Sequence, residues 1–162
     1  MALNGYKDVL GGAWTRGYGI NDIDVTNYYK QDYAITSSDA AVSGVKGAKG
    51  FESSPGAHPR HFGAFTRRIA RYVKDLKTTT LPFAIRSMTG LPASVVGLKD
   101  RGYLKENYFA DITIFDANQV IDTATYDDPK QYPIGIHYVL VNGEVALDNE
   151  RLTGVMAGQA VP

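Results

Sequence analysis

The chain has 162 residues, enough for one domain that buries roughly two thirds of its unfolded surface and too few for a second full domain. Seventeen Lys and Arg balance seventeen Asp and Glu, and 44% hydrophobic with 21% charged residues is the make-up of a globular protein; zero net charge gives no footing for nucleic acid. Cysteine is absent, which excludes disulfides, thiolate zinc sites and cysteine nucleophiles.

The opening residues lack a basic start followed by an apolar run, and no stretch of about eighteen apolar residues occurs, so neither secretion nor a membrane span is expected and a cytoplasmic location is the default. Residues 1–21 form a Gly-rich lead-in with no assignable period. Asp22 is placed to cap a short helix through Lys30, and Tyr33-Ala34-Ile35-Thr36 reads as a buried strand ending in Ser37-Ser38-Asp39. Residues 40–57, rich in Gly, Ser and Lys, read as a long loop leaving that strand. From His61, the positions Phe62, Phe65, Ile69, Tyr72, Val73 and Leu76 recur at helical spacing, with Arg67, Arg68, Arg71 and Lys74 on the other, solvated face. Thr79 or Thr80, with Pro82 in the first turn, starts the next helix, which Gly90-Leu91-Pro92 interrupts before residues 93–97.

Residues 101–162 change to β-structure broken by Gly, Asn, Asp and Pro. Residues 110–115 alternate as a strand. Residues 137–141 form a β-branched run closed by Asn142-Gly143, a two-residue hairpin signal leading into 144–147. Val120-Ile121 and residues 159–161 are candidates for further strands. The expected class is therefore α+β, divided into the lead-in, a portion at 22–100 with one strand, a long loop and helices, and a β-portion at 101–162.

Several residues carry possible chemistry. Asp39 follows a strand directly, where a carboxylate can serve as general acid and base or can cap the following turn. His58 and His61 share a face if helical, although Pro59 intervenes, and with Asp39 they form a candidate metal set. Arg60 offers a planar fork of donors suited to a carboxylate or to a structural ion pair. Ser43-Gly44-Val45-Lys46 spells Ser-x-x-Lys, a nucleophile motif that requires a helix N-terminus and here lies in a Gly-rich loop.

The ordered series Ser38-Asp39, His58-Pro59-Arg60, Phe62-Gly63 and Ile85-Arg86-Ser87-Met88-Thr89-Gly90-Leu91-Pro92-Ala93 resembles the closing barrel segment of D-aminoacylases, N-acyl-D-amino-acid deacylases of the amidohydrolase superfamily. Ala110-Asp111-Ile112, Asp122-Thr123-Ala124-Thr125-Tyr126, Gly135-Ile136 and Val141-Asn142-Gly143 are similar to the C-terminal β-domain of the same enzymes. The resemblance implies hydrolysis of acylated small molecules by zinc or another divalent metal at the mouth of a (β/α)8 barrel. It places Asp39 after the last barrel strand, where it accepts a proton from metal-bound water and returns it to the leaving amine. Arg60, by its fork of donors, and His58 are the candidate substrate contacts. The family's early His-x-His pair has no counterpart in this sequence, so the metal site would be completed by another chain or improvised from Asp39, His58 and His61.

Two readings follow: a truncated amidohydrolase acting on amides, or by relaxed specificity on esters or lactones, and a non-catalytic module that self-associates. A serine esterase using Ser43 and Lys46 is a third. A homo-oligomer or a separate N-terminal chain is the expected partner, with no nucleic acid and no membrane.

Overall fold

The computed structural model describes residues 19–40 and 58–161. The first helix, α1 (Asp22–Tyr29), starts where Asn21, in extended backbone, accepts the Asp24 N–H on its side chain at 2.9 Å. Asp22 and Asp24 in the first turn then lie against the positive end of the helix dipole. The cap is thus one residue earlier than expected, because Asp22 is already helical. None of the residues of α1 is buried. An ion pair from Arg71 to Asp22 at 2.8 Å ties it to the next helical element.

The strand expected over residues 33–36 is not formed. Tyr33 is 71% and Ile35 38% exposed; Thr36 alone is buried. The segment is linked to the helices through Thr36, whose N–H donates to the Ser87 carbonyl at 2.9 Å. An apolar run becomes a strand only through a partner backbone, and the described residues supply none beside it.

Helix α2 (Arg60–Arg67) runs without a break into a π-helical stretch, Arg68–Asp75, where Leu76 N–H reaches back five residues to the Arg71 carbonyl at 2.8 Å. The helix is where the sequence predicts it, and Ile69 and Tyr72 are buried as expected, but the rest of the buried face differs. Gly63, Thr66, Ile69, Ala70 and Tyr72 face inward, whereas Phe65 and Leu76 are exposed. At Gly63 another segment crosses the helix closely: a Cβ there would lie 3.0 Å from the Asp122 Cβ. Arg68 also departs from the expected solvated face and is fully buried. Its guanidinium lies 3.7 Å over the Tyr29 ring and donates to the Tyr29 carbonyl at 3.1 Å, while its Nε and one terminal nitrogen have no partner among the described residues. Burial of both groups pushes the Arg68 pKa down and that of Tyr29 up.

Helix α3 (Leu81–Met88) is capped by Thr80, which accepts the Phe83 N–H, and has Pro in its first turn. A break at Thr89 separates it from α4 (Gly90–Val96). The apolar core consists of Ile69, Ala70, Tyr72, Ala84, Ala93 and Val120. Lys74 joins this helical portion to the next segment by donating to the carbonyls of Asn118 and Val120 at 2.9 and 2.8 Å.

Strands β1 (Ile112–Phe115), β2 (Ile136–Val141), β3 (Glu144–Asp148) and β4 (Arg151–Leu152) form an antiparallel meander in that order. Val141 pairs with Glu144 across Asn142-Gly143, both at positive φ, which is the expected two-residue turn. A second such turn, at Asn149-Glu150, joins β3 to β4; it escapes a sequence reading because Glu has no preference for positive φ. Of the further strands expected, Ile121 forms only an isolated bridge with Ile134, and residues 159–161 are not in a strand. A polar knot closes the head of the sheet. Arg101 pairs with Asp111 and donates to Asn142 Oδ1 at 2.7 Å, and Asp111 accepts the Asn142 N–H at 2.8 Å. Among the described residues no helix is long and apolar enough to cross a membrane.

Candidate functional site

Asp39 ends the irregular segment in left-handed backbone, φ 46°, with its side chain 84% exposed. Its Oδ2 lies 3.0 Å from a terminal nitrogen of Arg60, the first residue of α2. The two candidates that the sequence separates by twenty residues are thus brought together as an ion pair. Both are substantially exposed, and an exposed pair of this kind contributes little stability, so the geometry matters more for where it holds the groups.

His58 determines how α2 begins. Pro59, at the N-cap position, makes no side-chain bond to the helix. Instead, the Arg60 N–H donates to His58 Nδ1 at 3.1 Å. With Nδ1 an acceptor, the neutral ring carries its proton on Nε2, which faces the Tyr126 hydroxyl at 3.2 Å. The two rings also meet edge to face, with centroids 5.0 Å apart. Burial, then the positive charge of Arg60 and the proximity of His61, lower the His58 pKa and favour this neutral form. Tyr126 is the member of the cluster that sequence reasoning did not single out. The only trace of it there is its place at the end of the Asp122-Thr123-Ala124-Thr125-Tyr126 string, since a contact 68 residues distant leaves no local pattern.

His61 is half-buried in the first turn of α2. Among the described residues no three His, Asp or Glu side chains converge to hold a metal ion. Both His58 nitrogens have partners and Asp39 faces Arg60, so Asp39, His58 and His61 do not assemble the metal set considered from the sequence. The described donors therefore do not fit a resident zinc or other divalent ion. Ser43 and Lys46 lie outside the described residues. His137, on β2, lies 3.3 Å from Glu150 in the turn between β3 and β4. An open groove of about 480 Å³ runs beside α1, lined by residues that include Asp24, Asn27, Tyr28 and Tyr33, and none of the candidate residues borders it.

The amidohydrolase family profile matches residues 53–147. An N-acyl-D-aspartate deacylase of Alcaligenes xylosoxydans xylosoxydans is 41% identical over 115 residues, which are 71% of this chain and 23% of the relative. The crystal structure of a D-aminoacylase superposes with a TM-score of 0.75 at 33% identity, covering 86% of this chain and 27% of that one. An N-acyl-D-glutamate deacylase from Bordetella bronchiseptica, solved with zinc and a phosphonate that mimics the tetrahedral intermediate, superposes at 0.69 with 35% identity over 78% of this chain and 25% of its own. The chain spans about a quarter of the length of the relatives it matches. With a family match across more than half of its residues, and a shared arrangement of helices and antiparallel sheet, the chain belongs to the amidohydrolase family as a homologue of part of the D-aminoacylases and N-acyl-D-amino-acid deacylases.

Proposed function

We propose that the chain carries the acid–base carboxylate of an N-acyl-D-amino-acid hydrolase, with Asp39 in that role. The observation that supports this most is the Asp39–Arg60 pair, set at the start of α2 in a chain of this family. In amide hydrolysis water adds to the acyl carbon and the C–N bond then breaks. Asp39 would take the proton that the water loses and deliver it to the departing nitrogen. Arg60, a planar donor whose guanidinium already holds one carboxylate, suits the carboxylate of an amino-acid substrate, and His58, fixed by Tyr126, is the second substrate contact in this reading. Residues 22–100 would then correspond to the closing segment of the catalytic barrel and residues 101–162 to the accompanying β-portion. A complete ligand set for a zinc or other divalent ion has to draw on groups outside the described residues.

That last point favours a second reading, a module that associates with copies of itself and does not turn over substrate. Metal content and turnover separate the two. The purified chain is analysed for bound metal and assayed on N-acetyl-D-amino acids before chelation, after chelation and after zinc is restored. The hydrolase reading expects activity that chelation removes and zinc returns, and a drop of about 100-fold or more in kcat for Asp39→Asn. Undetectable metal with no turnover at any zinc concentration supports the module. Under the hydrolase reading Ser43→Ala keeps the wild-type rate; loss of activity there would make the serine esterase the leading account.

A further inference from the structure

We infer that Thr36 and Ser87 are positioning residues for Asp39: a buried hydroxyl contact between them fixes the segment that presents the carboxylate to Arg60. The catalytic consequence rests on the acid–base reading of Asp39, whereas the geometry does not.

Residues 31–40 form neither helix nor strand and are mostly exposed, and the one backbone bond within them, from the Ala34 N–H to the Gln31 carbonyl at 3.2 Å, lies at the end away from Asp39. Their near end is secured at two carbonyls: Tyr29 accepts from Arg68 at 3.1 Å and Asp32 from Arg86 at 3.2 Å. Toward Asp39 the anchor is Thr36, the one buried residue of the segment. Ser87, on α3, is fully buried. Its Oγ donates to the Ala84 carbonyl at 2.7 Å and so is left as an acceptor. The Thr36 hydroxyl, 3.2 Å away, must then be the donor. The Thr36 N–H adds a second bond, to the Ser87 carbonyl at 2.9 Å. Two bonds from one residue to one residue fix direction as well as position. Asp39 is three residues further, within about 10 Å of extended chain, and among the described residues its backbone N–H meets only Ser37 Oγ, at 3.4 Å. Release of the Thr36 contact would let the Asp39 carboxylate move away from Arg60 without disturbing α2.

An ordinary core contact would look the same in the structure but would leave Asp39 unmoved when removed, and the test turns on that difference. Thr36→Val keeps the shape and removes the donor; Ser87→Ala removes the acceptor; Thr36→Ser keeps the hydroxyl. Arg60→Gln supplies the reference for an Asp39 without its partner. The readouts are the carboxyl 13C resonance of Asp39 and amide hydrogen exchange along the chain. We expect Thr36→Val and Ser87→Ala to carry the Asp39 resonance to its position in Arg60→Gln. Exchange at the Thr36 amide should quicken by about tenfold or more in both, with α3 amides unchanged and Thr36→Ser like the wild type. Where the chain turns over substrate, kcat should fall by about 10- to 100-fold at unchanged KM, the usual cost of misplacing a reacting group by about an ångström. An Asp39 resonance that stays put in both Thr36→Val and Ser87→Ala overturns the proposal. So does loss of amide protection throughout α3 in both, which would assign the pair to the core alone. If Asp39→Asn leaves kcat intact while the resonances move as expected, the acid–base reading fails and the positioning role stands.

Discussion

His58 accepts a backbone hydrogen bond on one nitrogen, and that detail makes it sensitive to pH. Protonation of Nδ1 would set a donor against the Arg60 N–H and would add positive charge beside the Arg60 guanidinium. Burial first, and then the charges of Arg60 and His61, depress its pKa in the folded chain below the ordinary histidine value of about 6.5, so the unfolded chain takes up the proton first. The stability associated with neutral His58 is complete above that value and is lost as pH falls through the ordinary value toward the folded one. Urea unfolding at pH 7.5, 6.5 and 5.5 should show this decline, and His58→Asn should flatten it, because an amide oxygen can still accept the Arg60 N–H but does not titrate in this range. A decline of equal steepness in His58→Asn would assign the pH dependence to other groups. The cap itself was not legible in the sequence: His58 presents there as a candidate ligand, and only the fold shows its two nitrogens occupied by Arg60 and Tyr126.

At the scale of elements, what could be read from the sequence is what neighbouring residues decide. Thr80 with Pro82 and the Asn142-Gly143 turn are local signals, and each forms as expected; the break between α3 and α4 also forms, but at Thr89, with Gly90, Leu91 and Pro92 inside the first turn of α4, where a helix tolerates proline. The strand over 33–36, the burial of Arg68 and the inward turn of Gly63 depend on which segments lie opposite, and there the local pattern misleads. Gly135 belongs to both kinds. It has φ 84°, which only glycine adopts without strain, and a Cβ there would lie 2.7 Å from the Val120 nitrogen. Its carbonyl also accepts the Asp116 N–H at 3.0 Å, just before β2. Gly135→Ala should destabilise the fold by about 2 kcal/mol or more, since backbone strain of this kind alone costs about 1–3 kcal/mol and the clashing atoms are backbone. Gly143→Ala is the control: it has a similar φ of 86° but open space around it, and should cost less. Equal losses measured by urea unfolding would mean that the close approach of Val120 contributes nothing.

At the scale of the molecule, the described residues bury little for the apolar surface they carry. Six apolar residues make up the core, while Ile20, Ile23, Tyr28 and Tyr33, along and beside α1, are all more than 60% exposed. No strand residue is buried, and β1 and β4 each pair on one side only among the described residues. Scattered exposed apolar side chains are ordinary, but a cluster beside a helix on which Tyr29 packs inward yet no residue is buried, together with open sheet edges, favours association over a monomer. The chain should therefore be an oligomer in solution, and α1 is the element whose burial in an interface would remove most exposed apolar surface. Light scattering over a range of concentrations should give a stable mass that is a multiple of 17.6 kDa. Ile23→Glu, which sets a charge in that cluster on an already exposed position, should shift the mass toward that of one chain without loss of helix content. A wild-type mass near 17.6 kDa at all concentrations refutes the oligomer; an oligomer that Ile23→Glu leaves intact moves the interface away from α1 and onto the edges of the sheet.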